Sequence, residues 1–320
     1  MKRVVVTGIG TINSIASNVK EFTEALKSGK CGTKEIDLFD TTGYRTNKAS
    51  QVSKEVTDAL FDNKERELRV IEFVKKACAE AMGQCGNLNV AKNRMGVSLA
   101  TSLGCIDGID KYMEAQSKGD GSVDGGCYLN TCAKLCDILS RQYSVCGPVY
   151  TVSTACAAGS NSIGIAMDAI RYGRTDAMIC GGADPISRIS INGFNALKSL
   201  SFSGYVRSFS EERDGLIIGE GAAILILEEY EHAKERGAKI LAEVAGYGLS
   251  NDAYHLTTPD PHGGGATRSM EKCLEDAGIG KECIDYVNAH GTGTVYNDNM
   301  EMLALRNVFG DRLEEITVTS

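Results

Sequence analysis

Apolar and polar positions along this chain switch repeatedly between two periods. Arg3–Ile9 is a continuous β-branched run that reads as a strand, and Val19–Ser28 is amphipathic at helical spacing, ending near Gly29. Over Lys64–Gln84 the residues Leu68, Ile71, Val74, Ala77, Cys78 and Ala81 recur three or four apart, so a long helix with one buried stripe is predicted. Gly96–Thr101 reads as a strand, Leu129–Tyr143 as a helix, and Val149–Val152 as a strand running into a further helix. Ala177–Cys180 is a short apolar strand, Asn192–Leu200 a helix, Ala222–Glu228 a strand and Tyr230–Arg236 a charged helical turn. The remainder predicts a strand at Ile240–Gly248, a helix at Gly265–Ala277 led by the glycines 263–265, a strand at Ile284–Ala289, a helix at Asn299–Phe309 and a strand opening at Ile316–Thr319. Strands alternating with helices place the chain in the α/β class, its sheets covered by helices. No proline-, glycine- or serine-rich linker divides it, and strand–helix–strand near the start is echoed weakly by Ile240–Ala289.

One junction in this pattern carries chemistry. In Val149–Gly173, VYTVSTACAAGSNSIGIAMDAIRYG, a strand meets Ser153, Thr154, Ala155 and Cys156, and small residues then open an apolar helix. A thiol there lies in the positive field of a helix N-terminus, which favours the anionic sulfur. Ala157, Ala158, Gly159 and Ser160 leave room for a substrate. A buried, unreactive cysteine beside a tightly packed helix fits the local pattern equally well.

A second junction is Tyr286–Glu301, YVNAHGTGTVYNDNME. The strand delivers His290 to a loop in which Gly291 and Gly293 alternate with Thr292 and Thr294, a setting suited to a base or hydrogen-bond donor. His232, His255 and His262 read instead as histidines without a chemical role, His232 among charges on a solvated helix. A cysteine and a histidine at strand ends point to nucleophilic acyl chemistry, but leave cysteine hydrolases, thiolases and condensing enzymes open.

Composition narrows the partners. The chain has 320 residues, enough for two domains or one large duplicated unit, and its net charge of −8 argues against a general nucleic-acid or membrane-surface binder. No apolar run approaches the roughly 20 residues of a membrane span. MKRVVVTGIG runs straight into a strand pattern, which predicts no secretory leader, and twelve scattered cysteines predict free thiols in a reducing, cytoplasmic setting. Cys132 and Cys136 share a helix face, but no second cysteine or histidine pair accompanies them, so packing rather than a metal site is expected. Gly8-Ile9-Gly10 follows the first strand as a dinucleotide fingerprint would, yet Asn13 stands where the third glycine is needed; a turn ending the strand is expected instead.

Across nearly its whole length the chain resembles the β-ketoacyl-[acyl-carrier-protein] synthases of the elongating type, nearest their synthase II branch. The resemblance rests on VVVTGIG, VSTACAAGSNSIG, NGFNALKSLS, ERDGLIIGEGAAILILEEYEHAKERGAKI, DAYHLTTPDP and VNAHGTGTVYND, in the family's order. It implies a thiolase-like αβαβα layered fold of two similar halves, here 1–238 and 239–320, and a homodimer joined beside the strand before the nucleophile. It implies that Cys156 accepts an acyl group from acyl carrier protein and that malonyl-ACP then loses carbon dioxide and condenses with it. His290 matches the first histidine of the family's Cys-His-His triad. Thr292 and Thr294 match hydroxyls that bind the phosphopantetheine arm, Thr257 a residue on the opposite wall, and Phe194 an acyl-pocket position. Lys64 and Arg66 stand where such synthases present basic residues to the acidic carrier. No cofactor or metal of the chain's own is implied; the phosphopantetheine belongs to the carrier protein.

One departure is plain. The family continues the strand matching Ile316–Ser320 into a lysine, a Gly-His pair and a glycine-rich loop bearing a gating phenylalanine, none of which follows here. The resemblance therefore predicts an incomplete second half and three possibilities: part of a longer synthase, a fragment completed by another chain, or a non-catalytic partner subunit akin to a chain-length factor. Retention of Cys156 disfavours the last, and the 320 residues alone are expected at best to acylate Cys156.

Overall fold

A computed structural model describes residues 1–61, 68–121 and 131–320, so Lys64 and Arg66 lie outside the described residues. In chain order the elements are β1 (Val4–Asn13), α1 (Val19–Lys27), the short strands β2 (Lys34–Glu35) and β3 (Lys48–Ala49), α2 (Lys54–Phe61), α3 (Arg69–Cys85), β4 (Met95–Ala100), α4 (Ile106–Ser117), α5 (Ala133–Gln142), β5 (Val149–Val152), α6 (Ala158–Arg171), β6 (Ala177–Asp184), α7 (Arg188–Ala196), β7 (Gly221–Glu229), α8 (Tyr230–Glu235), β8 (Ala242–Glu243), α9 (Gly264–Ala277), β9 (Tyr286–Asn288), α10 (Val295–Phe309) and β10 (Thr317–Thr319). They fall into two compact units. The first comprises Met1–Phe39, Ala49–Asn192 and Ile218–Val244; the second comprises Asp40–Lys48, Gly193–Ile217 and Ala245–Ser320.

The first unit is built on a six-stranded mixed sheet of order β5-β4-β6-β7-β1-β8. β4 runs parallel to β5 and β6, while β7 is antiparallel to β6 and β1. Alternation along the strands assigns the two faces. Val97 and Leu99 of β4, Ile179 of β6 and Ile224 and Ile226 of β7 join Phe73, Val74 and Ala77 of α3 and Leu135 and Leu139 of α5 in one buried cluster. On the other face α6 covers the central strands: Ser162 Oγ donates to the Ser98 carbonyl at 2.6 Å and accepts from the Gly181 amide at 3.2 Å. Burial of a side chain such as Phe73, fully removed from solvent, contributes about 2–3 kcal/mol, so helix and sheet faces rather than helix propensity hold these layers together.

Three sequence expectations change here. Gly8 and Gly10 do not end a strand: β1 continues to Asn13, with a bulge between Val6 and Gly8. A Cβ on Gly8 would stand 2.2 Å from the Ala81 carbonyl oxygen and one on Gly10 1.9 Å from that of Ala77, so both glycines serve the close approach of α3 to the sheet. The strand expected at Ile240–Gly248 contracts to Ala242–Glu243, which pairs only with Val5 and Val6. His232 is not merely solvated: its Nδ1 lies 2.6 Å from Oε1 of Glu228, a fully buried carboxylate that Arg236 grips through Nε and Nη2 at 2.7 Å each, with the Thr7 hydroxyl at 3.0 Å.

The described cysteines are not joined by disulfides, and among the described residues no cluster of three metal-ligating side chains forms. Cys136 is buried, with its sulfur 3.2 Å from the Tyr150 carbonyl, as packing requires. Among the described residues no helix is long and apolar enough to cross a membrane.

The second unit pairs β9 and β10 in parallel. Its own small core gathers Leu305, Val308 and Phe309 of α10 and Ile316, with Met270 and Leu274 of α9 packed against them.

Candidate active site

At the junction of β5 and α6 the chain reverses within a few residues. Val152 ends the strand, Ala155 takes a left-handed φ of +51°, and α6 begins at Ala158 with Ala157 as its N-cap. A non-glycine residue at positive φ is uncommon and marks a turn held by its surroundings. Here the Asn161 amide donates to the Thr154 hydroxyl at 2.7 Å, the Ala158 N–H donates to the Ala155 carbonyl at 3.0 Å, and Ala100, Val152 and Ala158 pack together behind the turn.

The product of this turn is an exposed Cys156 on the wall of a cavity of about 880 Å³. The wall is largely apolar or small: Ile9, Ile12, Phe22, Ala100, Gly182 and Ala222 all face it. Asp184 also lines it and anchors the adjacent loop, accepting from the Thr101 hydroxyl at 2.7 Å and from the Ser102 and Leu103 amides at 2.9 Å each.

The other described thiols differ in kind. Burial pushes Cys78 and Cys105 up to about 12 and Cys85 to about 11, and raises Cys136 and Cys180 as well, so these remain protonated fillers of the core. Cys31, Cys146 and Cys283 are exposed, but among the described exposed cysteines Cys156 alone lines this cavity.

His290 belongs to the second unit and is exposed at the end of β9. Its backbone N–H donates to Glu301 Oε1 at 2.7 Å and that of Gly291 to Glu301 Oε2 at 2.8 Å. Asp298, one turn earlier on α10 and buried, accepts from the Gly293 amide at 3.2 Å and the Phe209 amide at 2.7 Å. Gly293 has φ +71°, and a Cβ there would lie 2.8 Å from the Gly215 carbonyl oxygen, so only glycine fits. The Thr292 and Thr294 hydroxyls lie 2.8 Å apart on the same loop.

The structure thus brings His290, Thr292 and Thr294 together on one carboxylate-clamped loop. Thr257 is exposed in the irregular segment before α9, its amide donating to His255 Nδ1 at 3.2 Å, and Phe194 is half-buried on α7. Sequence reading passed over Asp298 and Glu301, although their i, i+3 spacing just after the HGTGT loop puts both on the first turns of the following helix. It also passed over Asn161, although its partner Thr154 lies only seven residues away, and Asp184, whose role arises from partners some eighty residues distant.

Residues 1–233 match the family description "Beta-ketoacyl synthase, N-terminal domain" and residues 241–320 match "Beta-ketoacyl synthase, C-terminal domain". The chain is 35% identical over 334 aligned positions to 3-oxoacyl-[acyl-carrier-protein] synthase 2 of Coxiella burnetii, covering all of this chain and 80% of that relative. Among solved structures it is similar, with a TM-score of 0.90 and 33% identity over 99% of this chain and 80% of the other, to a ketosynthase in a complex described as a type II PKS acyl-carrier protein with its ketosynthase bound to the hexaketide. The ishigamide ketosynthase/chain length factor gives a TM-score of 0.89 at 35% identity, covering 97% of this chain and 78% of that one. Matched from Met1 to Ser320 by sequence and by fold, the chain belongs to the beta-ketoacyl synthase family of condensing enzymes.

Proposed function

We propose that this chain is a 3-oxoacyl-[acyl-carrier-protein] synthase of fatty-acid or related polyketide synthesis, with Cys156 as its nucleophile. The thiolate of Cys156 attacks the thioester carbonyl of an acyl group carried on phosphopantetheine; the carrier thiol leaves and a new thioester joins the acyl group to Cys156. Malonyl-ACP then loses carbon dioxide, and the electron pair of the broken carbon–carbon bond attacks the Cys156 thioester. The Cys156 sulfur leaves as thiolate, releasing a 3-oxoacyl-ACP two carbons longer. His290 donates to the enolate oxygen as charge develops, Thr292 and Thr294 hold the phosphopantetheine arm with Thr257 on the opposite wall, and Phe194 borders the acyl chain.

The observation that carries this reading is the exposed sulfur at the start of α6, on the wall of a large apolar cavity, while the buried thiols are held protonated. Intact-mass spectrometry after incubation with acyl-ACP tests it: the wild-type chain gains one acyl group, and Cys156→Ala gains none. Acylation of Cys156→Ala at the wild-type rate would overturn the assignment.

The carrier and the assembly follow from the same reading. Acyl carrier protein delivers both substrates, and Lys64 and Arg66 form its basic landing point; reversing both charges should weaken carrier affinity at low salt. Two copies of the chain meet along β5, the outermost strand of its sheet, where Val149 is 47% exposed. Sedimentation should show a dimer that Val149→Lys weakens, whereas a monomeric wild type would remove the dimer from the proposal. The cytoplasmic setting rests on the scattered, undisulfided cysteine usage.

A further inference from the structure

Part of the wall of the Cys156 cavity is the paired end of two strands. Gly182, Ala183 and Asp184 of β6 stand opposite Ala223, Ala222 and Gly221 of β7, and all six line the cavity. The ladder stops there for a chemical reason. Pro185 follows Asp184 and has no N–H to donate, so the next amide along that strand is that of Ile186. This amide donates at 3.3 Å to Oε2 of Glu220, the residue immediately before Gly221. Beyond the last backbone pair, the two strand ends are therefore joined by a side chain.

Glu220 gathers more than Ile186. Its side chain is fully buried, and Oε1 accepts from the Val52 amide at 3.1 Å. Arg69, at the start of α3, bridges both oxygens, donating from Nε to Oε2 at 3.3 Å and from Nη2 to Oε1. The Glu220 amide itself donates to the Ser50 carbonyl at 3.1 Å. One carboxylate thus ties the segment before α2, the start of α3 and the segment entering α7 to the end of β7. The same wall is held at Asp184 by the Thr101 hydroxyl and the Ser102 and Leu103 amides. Glu220 does not line the cavity, so it acts on a guest only through the wall. Its four donors need two acceptor oxygens; a carboxamide there would turn its own N–H groups toward some of them, leaving buried donors unpaired.

We propose, on the reading of Cys156 as the acyl acceptor, that Glu220 is a positioning residue for the acyl chain: it fixes the ends of β6 and β7 so that an apolar chain attached to the sulfur packs against them. A substituent too short to reach the wall does not need this brace, and a long one does.

Alkylation of Cys156 in the full chain, followed by peptide-resolved mass spectrometry, tests the brace. N-ethylmaleimide and N-octylmaleimide carry the same reactive ring and differ only in the apolar tail. In the wild type the octyl reagent is expected to label Cys156 about tenfold faster than the ethyl reagent or more. Glu220→Gln should cut this ratio by about fivefold or more while leaving the ethyl rate within about twofold. Leu139→Ala, which loosens the core under α5 and takes no part in the Glu220 hydrogen bonds, should lower the unfolding midpoint and leave the ratio unchanged. A wild-type ratio near one, an unchanged ratio in Glu220→Gln, an equal slowing of both reagents, or the same fall in Leu139→Ala would overturn the proposal. Should Glu220→Gln fail to fold, Arg69→Lys decides, since it keeps the charge but cannot bridge both oxygens: a ratio lowered about threefold or more supports the brace, and an unchanged ratio refutes it. Neither reagent needs a carrier protein, so failure of acyl transfer from acyl-ACP with the alkylation ratios as expected would count against the proposed function and not against the brace.

Discussion

The Cys156 turn and the His290 loop, the two regions we propose to carry the chemistry, hold a side chain in place by different means. The turn is held by packing: small residues behind it, Ala155 forced to a left-handed φ, and α6 fastened to β4 and β6 through Ser162. The loop is held by charge: two carboxylates on the first turns of α10 collect the amides of His290, Gly291, Gly293 and Phe209. A position fixed by packing fails when volume changes, and one fixed by carboxylates fails when a single acceptor is removed. The two regions are therefore separable by mutation.

The largest effect is expected from the proposed nucleophile itself. Cys156→Ala should lower acyl transfer about a thousandfold or more, read as loss of the acyl adduct by mass spectrometry. Next, Glu301→Ala frees the His290 and Gly291 amides; carried in a synthase that completes the malonyl step, it should slow condensation by about 100-fold, the scale of a roughly 1 Å misplacement, while leaving acylation of Cys156 intact. An equal loss in both half-reactions would show that the loop also positions the turn.

Stability changes sharpen the contrast further. Gly10→Ala drives a methyl into the Ala77 carbonyl and should cost about 3 kcal/mol in denaturant unfolding, because helix and sheet must separate. Gly293→Ala, strained by its φ of +71°, should cost about 1–2 kcal/mol and impair condensation more than stability.

The smallest effect concerns pH and touches neither site. Asp176 is held below the usual carboxylate range by its hydrogen bonds from Arg94 at 2.6 and 2.8 Å. Because the folded value is lowered, this pair contributes stability above the ordinary carboxylate range and loses it as pH falls through the folded value. Asp176→Asn should therefore flatten the acid limb of the stability profile, with little change in the rates at either site.

Much of this was legible in the sequence because it is local. Period-two and period-3.6 patterns located β1, β4, β5, β6 and β7 and the helices α1, α3, α6 and α9, and small residues after a strand marked the Cys156 turn. Short or polar elements were less legible. α2 and α4 went unseen, and Ile240–Gly248 looked like a strand although only two of its residues find partners on β1.

The sequence by itself determined the α/β alternation, a cysteine at a strand–helix turn and a histidine on a glycine–threonine loop, since each depends on residue types within a few positions of one another. Only the tertiary structure decided why Gly8 and Gly10 are glycine, that His232 serves a buried carboxylate, that Glu301 and Asp298 clamp the His290 loop, and that Glu220 gathers Val52, Arg69 and Ile186. Close approach, burial and hydrogen-bond satisfaction are properties of groups brought together from distant parts of the chain, and no local spacing encodes them.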